Sequence, residues 1–324
     1  MVLSKTAMKR CVKCLYPTSK PDLAFDAEGV CSACRNFQNR LEIDWEQRHK
    51  QLLVLLDKHD GRVIVPSSGG KDSHYIALRL KELGADVTAV TATTCHLTPI
   101  GRANLDNLAR HVRTIEVTPN MTVRAKLNRL ALELVGDCSW PEHVSIHRVP
   151  FRVACYLGVP LIFYGECPNN QYGGPQGTED IGCMSQRWVS EFGGFLGLRV
   201  EDFVGQEGIT LRDMTDYQVP SDVTVEAHFL GWFEAWDSHR NARVATEHGM
   251  MQQLPGPMNW WSHENLDNFQ TGIHDYFCWL KYRYGRFVAQ ISVDIRAGLI
   301  TRNAAFELAK ERDGLFPQSY LGVS

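Results

Sequence analysis

Short apolar runs alternate with amphipathic stretches between residues 62 and 166. Four of these runs predict β-strands because they are short, rich in β-branched side chains and bounded by turn residues: Arg62–Val65, Val87–Thr91, Thr114–Val117 and Pro160–Glu166. The amphipathic stretches predict helices, with apolar residues at helical spacing, over 72–83, 102–111 and 122–134. Such alternation predicts an α/β fold with a doubly wound parallel sheet, whose ligands bind beyond the carboxyl ends of the strands.

The regions that flank this alternation have different patterns. Residues 1–40 are rich in cysteine and turn formers, and a helix is expected over 41–60. Residues 167–215 are glycine-rich and irregular, which is typical of an active-site loop region. The last hundred residues end in a helix that begins after the N-cap candidate Thr301. We therefore expect three parts, namely an N-terminal module with its connecting helix (1–60), an α/β domain (61–215) and a mostly helical C-terminal region (216–324).

Composition and charge narrow the classes of function. The 324 residues carry 34 Lys and Arg against 37 Asp and Glu, for a formal net charge of −3. This balance gives no sign of a broad nucleic-acid surface, so nucleic acid is not an expected partner. No run of 18 apolar residues predicts a membrane span, and Met1–Thr6 has no secretory pattern. We expect a cytoplasmic protein.

A glycine-rich turn, Ser68-Gly69-Gly70-Lys71-Asp72-Ser73, follows the first predicted strand and opens the next helix. Adjacent glycines let successive backbone N–H groups point inward and form an anion-binding nest. The helix N-terminus adds partial positive charge, and Lys71 adds a full charge. Phosphate or pyrophosphate is therefore the expected ligand, and an ordinary βα turn is the alternative. The spacing excludes a Walker A loop, which has four residues between its first glycine and Gly-Lys.

Four of the ten cysteines form two C-x-x-C pairs, Cys11/Cys14 and Cys31/Cys34, separated by sixteen residues. Two such pairs can close a tetrahedron of thiolates, as in a zinc ribbon or knuckle. The segment has few apolar residues for a core of its own, so we expect a structural zinc that supplies its folding energy. An iron–sulfur cluster and a redox pair are the rival interpretations.

Other candidate residues have weaker signals. Glu166 ends a predicted strand, where it could orient a substrate or accept a proton, although a salt-bridging carboxylate is equally compatible. His274 could shuttle a proton or be a core histidine, and Arg286 could bind a phosphate or lie on a solvated helix face. His143 and His147 stand at i and i+4, but no third metal ligand lies nearby in sequence, so we interpret the pair as coincidence.

The glycine-rich turn resembles the PP-loop of the ATP pyrophosphatases, which share an adenine-nucleotide alpha-hydrolase-like fold. Members adenylate an oxygen, release pyrophosphate and admit a nucleophile. The resemblance implies that the pyrophosphate end of ATP is held by Ser68, Gly69, Gly70, Lys71 and Ser73. It also implies that Asp72 helps to place Mg²⁺.

Further segments narrow the resemblance and extend it over nearly the whole chain. Together with the cysteine pairs, they are Thr118-Pro119-Asn120, Pro160–Glu166, Gln171-Tyr172-Gly173-Gly174, Ile273–Tyr276 and Lys281–Arg286. The chain thus looks like the N-acetyl sugar amidotransferase family of bacterial surface-polysaccharide and nonulosonic-acid pathways. The turn is generic to a superfamily, whereas Tyr-Gly-Glu at the strand end and Tyr-Gly-Arg are more specific.

This resemblance implies an activity. ATP would adenylate the N-acetyl oxygen of a nucleotide-linked sugar, and ammonia from a separate glutaminase subunit would replace it to give an acetamidino group. We assign catalytic roles to Lys71, Asp72 and Glu166. Substrate contacts are expected from Glu166, Cys167, Tyr172, His274 and Arg286.

One departure from the family pattern leaves a second function open. The family reads Gly-Glu-Asn at the strand end, and this chain has Gly165-Glu166-Cys167. A thiol in that position could serve sulfur transfer, so the alternative is a thiolating enzyme that acts on tRNA or a small heterocycle through Cys95 or Cys167. The interpretation that we favour is a tolerated substitution beside the site. A zinc-ribbon scaffold with an inactive ATPase fold is disfavoured by the intact Lys71 and Asp72.

Overall fold

The fold is built on a parallel β-sheet of five strands. The computed structural model describes residues 8–94, 96–174, 182–219 and 224–317. The strands are β1 (Arg62–Pro66), β2 (Asp86–Ala92), β3 (Arg113–Val117), β4 (Leu161–Tyr164) and β5 (Glu226–Phe229). They lie in the order β3-β2-β1-β4-β5, and every neighbouring pair is parallel. The prediction of an α/β fold with a parallel sheet is confirmed, although β5 was not predicted.

Thirteen α-helices surround the sheet in the described part of the chain. They are α1 (Ser32–Asn39), α2 (Trp45–Lys58), α3 (Lys71–Glu82), α4 (Pro99–Leu108), α5 (Met121–Val135), α6 (Trp140–Leu157), α7 (Pro168–Tyr172), α8 (Gln186–Phe192), α9 (Leu230–Phe233), α10 (Ser238–Glu247), α11 (Thr271–Tyr282), α12 (Arg286–Arg296) and α13 (Arg302–Arg312). The predicted helices correspond to α2, α3, α4, α5 and α13. In the described ranges, no helix is both long and apolar enough to cross a membrane.

The sheet separates two apolar cores. Along β1, Val63 and Val65 face one core while Ile64 faces the other, as the alternation of side chains in a strand requires. Helices α2 and α3 bury apolar residues in the first core, and α5 and α6 do so in the second. Both faces of the sheet are therefore covered, which is the arrangement expected of a parallel sheet.

The order of the strands reverses between β1 and β4, and this reversal positions the site. From β1 the chain proceeds through α3 to β2 and then to β3 on one side of β1. It returns through α5 and α6 to β4 on the other side of β1. In open α/β sheets, a crevice for ligands forms beyond the carboxyl ends of the two strands at such a switch point. The glycine-rich turn follows β1, and Glu166 follows β4.

The cysteine-rich segment packs on the C-terminal helices in a third apolar core. Cys11, Cys14, Cys31 and Cys34 are buried with Phe287, Val288 and Ile291 of α12 and Ala305 of α13. Thr301 caps α13 as the sequence predicts, since its hydroxyl accepts a hydrogen bond from the Ala304 amide at 3.3 Å. The first and last parts of the chain thus form one packed unit.

Candidate active site beyond strands β1 and β4

The glycine-rich turn is tightly folded against α4. Gly69 has a φ of +79°, and a Cβ at this position would lie 3.0 Å from the Leu105 backbone nitrogen, so both conformation and space require glycine. The Ser67 hydroxyl accepts from the Gly69 amide at 3.0 Å. The Ser73 hydroxyl donates to the Gly70 carbonyl at 3.0 Å, which ties the turn to the first turn of α3. The turn therefore presents backbone N–H groups at a helix N-terminus, where anions are stabilised.

Lys71 is buried between two carboxylates. Its ammonium nitrogen lies 2.7 Å from Asp72 Oδ2 and 2.7 Å from Glu264 Oε1. Burial disfavours the charged ammonium, but Asp72 and then Glu264 more than offset this, and the pKa of Lys71 is raised. Lys71 is thus a fixed cation at the start of α3.

Glu264 is a member of the site that the sequence analysis missed. Its second oxygen accepts a hydrogen bond from Gln290 Nε2 at 2.8 Å. Burial would raise the pKa of Glu264, but the charges of Lys71 and Arg286 outweigh it and lower that pKa to about 2. Glu264 lies in a loop that has no motif, and its contact with Lys71 spans 193 positions, so no local signal could have identified it.

Glu166 stands directly beyond β4, across from the glycine-rich turn. Burial raises its pKa, the neighbouring Asp72 carboxylate adds to the effect, and Lys71 opposes it, so that the pKa of Glu166 is about 7. A carboxyl group with such a pKa exchanges a proton near neutral pH, as a general acid or base must.

Two adjoining cavities, of about 420 and 450 Å³, occupy the crevice. Lys71 and Tyr172 line the smaller cavity, while Thr91, His143 and His274 line the larger one. Their shared walls include Ser68, Asp72, Ser73, Glu166 and Arg286. The structure therefore brings together all of the sequence-assigned site residues outside the cysteine pairs except Cys167.

Arg286 reaches the cavities from the first residue of α12 in a fixed orientation. Its Nε and Nη2 atoms donate to the two oxygens of Asp275 at 3.2 and 3.1 Å. Asn265 donates to the same carboxylate at 2.8 Å, and His274 Nδ1 lies 3.2 Å from it. Burial would raise the pKa of Asp275, but the Arg286 charge, with the contact to His274, lowers it to about 2. Asp275 is thus an anion that orients both Arg286 and His274.

The two cysteines that a thiolating reaction would need differ in position. Cys167 is 1 % exposed and belongs to the apolar core that includes Ile162 and Phe229. It lines neither cavity. Cys95 lies outside the described residues.

The four paired cysteines converge in a buried group that can hold a metal ion such as zinc. The Cys11 and Cys34 sulfurs are 3.8 Å apart, and those of Cys14 and Cys31 are 3.6 Å apart. Four sulfurs around one zinc ion, each at about 2.3 Å, are separated by about 3.8 Å. The backbone amides of Lys13, Cys14 and Cys31 point at the Cys11 sulfur, as amides around a thiolate ligand do.

Within the described residues, His143 and His147 do not share a group of potential metal ligands, in agreement with the interpretation of their i, i+4 spacing as coincidence. The ligand atoms of His143, Asp137 and His274 all lie within 4.8 Å of one another, and His147 is not part of this group. The i, i+4 pair is therefore not the relevant one. The other potential ligands beside His143 are Asp137, which lies close to it in sequence, and His274 of α11, far along the chain.

Residues 263–322 match the family model of the C-terminal domain of WbpG-like LPS biosynthesis proteins. The matched segment begins beside Glu264 and contains His274, Asp275, Arg286 and Gln290. The matched segment therefore supplies the part of the cavity wall that lies opposite the glycine-rich turn. No curated protein matches the chain.

Proposed function

We propose that this chain is an ATP-dependent amidotransferase of the PP-loop class that acts in surface-glycan biosynthesis. It adenylates the N-acetyl oxygen of a nucleotide-linked sugar and replaces that oxygen with ammonia, which gives an acetamidino group. The ammonia comes from a separate glutaminase subunit.

A single observation carries this proposal. The Ser-Gly-Gly-Lys-Asp-Ser turn beyond β1 shares its cavities with Glu166 beyond β4 and with Arg286. Arg286 belongs to the segment that matches the LPS biosynthesis model. An anion-binding turn of this kind suits the pyrophosphate end of ATP, and the matched segment supports a role in polysaccharide biosynthesis.

The carboxylates around Lys71 support a place for Mg²⁺. Asp72, Glu166 and Glu264 surround this one ammonium, so the group carries more negative than positive charge when all three are ionised. Carboxylate oxygens are the ligand type that Mg²⁺ prefers, together with substrate phosphates. Bound there, Mg²⁺ would neutralise charge on the phosphates.

The first step forms a bond between the amide oxygen and the α-phosphorus of ATP. The bond from that phosphorus to the bridging oxygen breaks, and pyrophosphate leaves with its charge stabilised by Lys71 and the turn amides. The amide becomes an O-adenyl imidate as its N–H proton passes to water.

In the second step, ammonia attacks the imidate carbon, the bond from carbon to the AMP oxygen breaks, and AMP leaves. A proton departs from the attacking nitrogen, and Glu166, with a pKa of about 7, is the group that accepts it. Arg286, oriented by Asp275, holds an anionic part of the sugar nucleotide.

The test supplies ATP, Mg²⁺, ammonium and a panel of nucleotide-linked N-acetyl sugars to the purified full-length protein. We expect one sugar to release AMP and pyrophosphate in equal amounts with an acetamidino product that mass spectrometry identifies. Lys71→Met should lower the rate at least about 100-fold, as loss of a transition-state charge contact does. Lys81→Met changes an exposed lysine of the same helix and should keep the rate.

If ATP is not consumed with any sugar of the panel, the proposal fails. ATP consumption that requires sulfide instead of ammonium would support the thiolating alternative, although the burial of Cys167 counts against that reaction.

A further inference from the structure

A second group of metal-ligand side chains lies apart from the four cysteines, on the wall of the 450 Å³ cavity. It comprises Asp137 after α5, His143 in the first turns of α6 and His274 at the start of α11. Three separate elements thus converge on one point, and His143 and His274 line the cavity. Two imidazoles and one carboxylate are a donor set that zinc and similar transition metals favour.

Each of the three side chains has a ligand atom free for an ion. The Asp137 Oδ1 atom accepts from the Ser139 amide at 2.7 Å, which leaves Oδ2 facing His143 Nδ1 at 3.8 Å. His143 Nδ1 is buried and makes no hydrogen bond with the described residues. A separation of 3.8 Å is too long for a hydrogen bond but close to that of two ligands, each about 2.1 Å from one ion.

His274 has the surroundings of a metal-binding histidine. Its Nδ1 atom lies 3.2 Å from Asp275, so the carboxylate holds the ring and leaves Nε2 available. A carboxylate behind a histidine is the common outer-shell arrangement at metal sites. The His143 and His274 rings lie edge to face with centroids 5.0 Å apart, so the two rings are close but not stacked.

We propose that Asp137, His143 and His274 bind a divalent transition-metal ion such as Zn²⁺, whose open coordination positions face the 450 Å³ cavity. Three protein ligands with an open position are typical of a reactive zinc site rather than a structural one. The ion binds an oxygen of the molecule in the cavity, or water in its absence. Binding requires the ligand atoms to converge by about 1 Å, which side-chain rotation at a cavity wall can supply.

The charged side chains around Asp137, His143 and His274 determine which kind of ligand the ion's open coordination position prefers. Asp137 and Asp275 contribute two negative charges, and Arg286 and Lys281 contribute two positive charges. The charges of these four groups balance, so the bound ion adds net positive charge to this part of the wall. The open position consequently favours an anionic or strongly polar oxygen.

The test measures zinc in tag-free, full-length protein that has been treated with a chelator and then dialysed against micromolar Zn²⁺. We expect His143→Ala and His274→Ala to hold one ion per chain fewer than the unchanged protein after dialysis. In a titration with Zn²⁺, their affinity for this second ion should be at least about tenfold weaker. His147→Ala is the matched control, because His147 lies one turn further along α6 and lines the same cavity. It should keep the full metal content.

Cobalt separates the two classes of site. Loading with Co²⁺ should give thiolate charge-transfer absorption from the cysteine group in all variants, which also reports that each is folded. The difference spectrum between the unchanged protein and His274→Ala should contain visible d–d bands without thiolate bands. If a variant loses its thiolate bands, Asp137→Asn and His274→Asn provide the same comparison.

Equal metal content in the unchanged protein and in both histidine variants would overturn the proposal. The readout is metal content and requires no activity, so it stands or fails separately from the proposed amidotransfer.

Discussion

At the scale of single residues, the site combines one buried cation with an excess of carboxylates. Lys71 contacts both Asp72 and Glu264 at 2.7 Å, and Gln290 holds Glu264 from behind. A lysine fixed in this way has little conformational entropy left to lose if it binds a phosphate, as we propose. In the proposed reaction, the carboxylates would also offer oxygen ligands for a divalent ion that accompanies the phosphates of ATP.

Glu264→Gln tests the role of the residue that sequence motifs did not reveal. The substitution removes one of the two anions that hold Lys71, and it leaves one oxygen to serve both Lys71 and Gln290. We expect pyrophosphate release to fall at least about tenfold, as for a lost electrostatic contact. Glu226→Gln, which disrupts a surface pair with Lys58, is the control. An unchanged rate in Glu264→Gln would show that Lys71 is positioned without it.

The pKa of Glu166 predicts how stability depends on pH. A carboxyl pKa raised from 4.5 to about 7 means that the folded protein keeps a proton that the unfolded chain has lost between these pH values. The free energy of unfolding therefore falls as pH rises through this window, by up to about 3 kcal/mol. Glu166→Gln carries no such charge, so we expect it to be more stable than the unchanged protein above about pH 7.

Urea unfolding at several pH values checks this prediction. The gain in stability of Glu166→Gln should shrink as pH falls from 7 and vanish below about pH 4.5, where Glu166 becomes protonated in both states. Glu46→Gln, at an exposed pair with Lys50, should show no such trend. A gain that does not vary with pH would contradict a raised pKa at Glu166.

At the scale of elements, the sequence predicted the strands and helices that have a clear local hydrophobic pattern. It missed those whose stability depends on packing against distant parts of the chain. The four apolar runs became β1 to β4. Alternate side chains of β1, β2 and β4 enter two cores, and Ile115 and Val117 of the edge strand β3 pack against one of them. Helix α6 was missed since Pro150 interrupts a helical pattern, yet the helix continues because Trp140, Val144 and Phe151 are buried in the core. β5 was missed because its four residues alternate polar and apolar, whereas the equally short β4 is a continuous apolar run.

The contact between α1 and the segment after α7 links the cysteine group to the candidate active site. Gly173 has a φ of +70°, and a Cβ there would lie 2.5 Å from the Ala33 backbone nitrogen. Its neighbour Tyr172 lines the cavity that contains Lys71. The backbone of the cysteine-rich segment therefore fixes the position of a wall of the site.

Gly173→Ala tests this contact between elements. The new methyl group must displace backbone, so we expect a loss of at least about 2 kcal/mol in the free energy of unfolding, together with reduced pyrophosphate release. Gly205→Ala is the matched control, because Gly205 has a φ of +89° but nothing within 4 Å of its Cβ position. It should cost only about 1 kcal/mol, from backbone strain alone. If urea unfolding shows that Gly173→Ala and Gly205→Ala lose the same free energy of unfolding, backbone strain accounts for both losses and the contact with Ala33 does not contribute.

At the scale of the whole molecule, α12 joins the cysteine group to the glycine-rich turn. Phe287, Val288 and Ile291 pack against the cysteines, while Arg286 and Gln290 of the same helix reach the site. The sequence predicted the metal ligands and the phosphate-binding turn separately, since each is a local motif. That a single helix connects them is a property of long-range packing, which no local pattern records.

Cys14→Ser, which removes one thiolate from the buried group, tests this connection. Metal binding supplies folding free energy to segments with small cores, about 10 to 16 kcal/mol in isolated zinc peptides. We therefore expect the variant to lose the metal of the cysteine group and to unfold at a lower temperature. Pyrophosphate release should fall with it, because α12 loses the surface on which Phe287 and Ile291 rest.

Cys155→Ser, at a partly buried cysteine outside the group, should retain metal, melting temperature and rate. If Cys14→Ser loses its metal but keeps the rate of pyrophosphate release, α12 is held in place by its other contacts, and the cysteine group serves only the stability of the N-terminal segment.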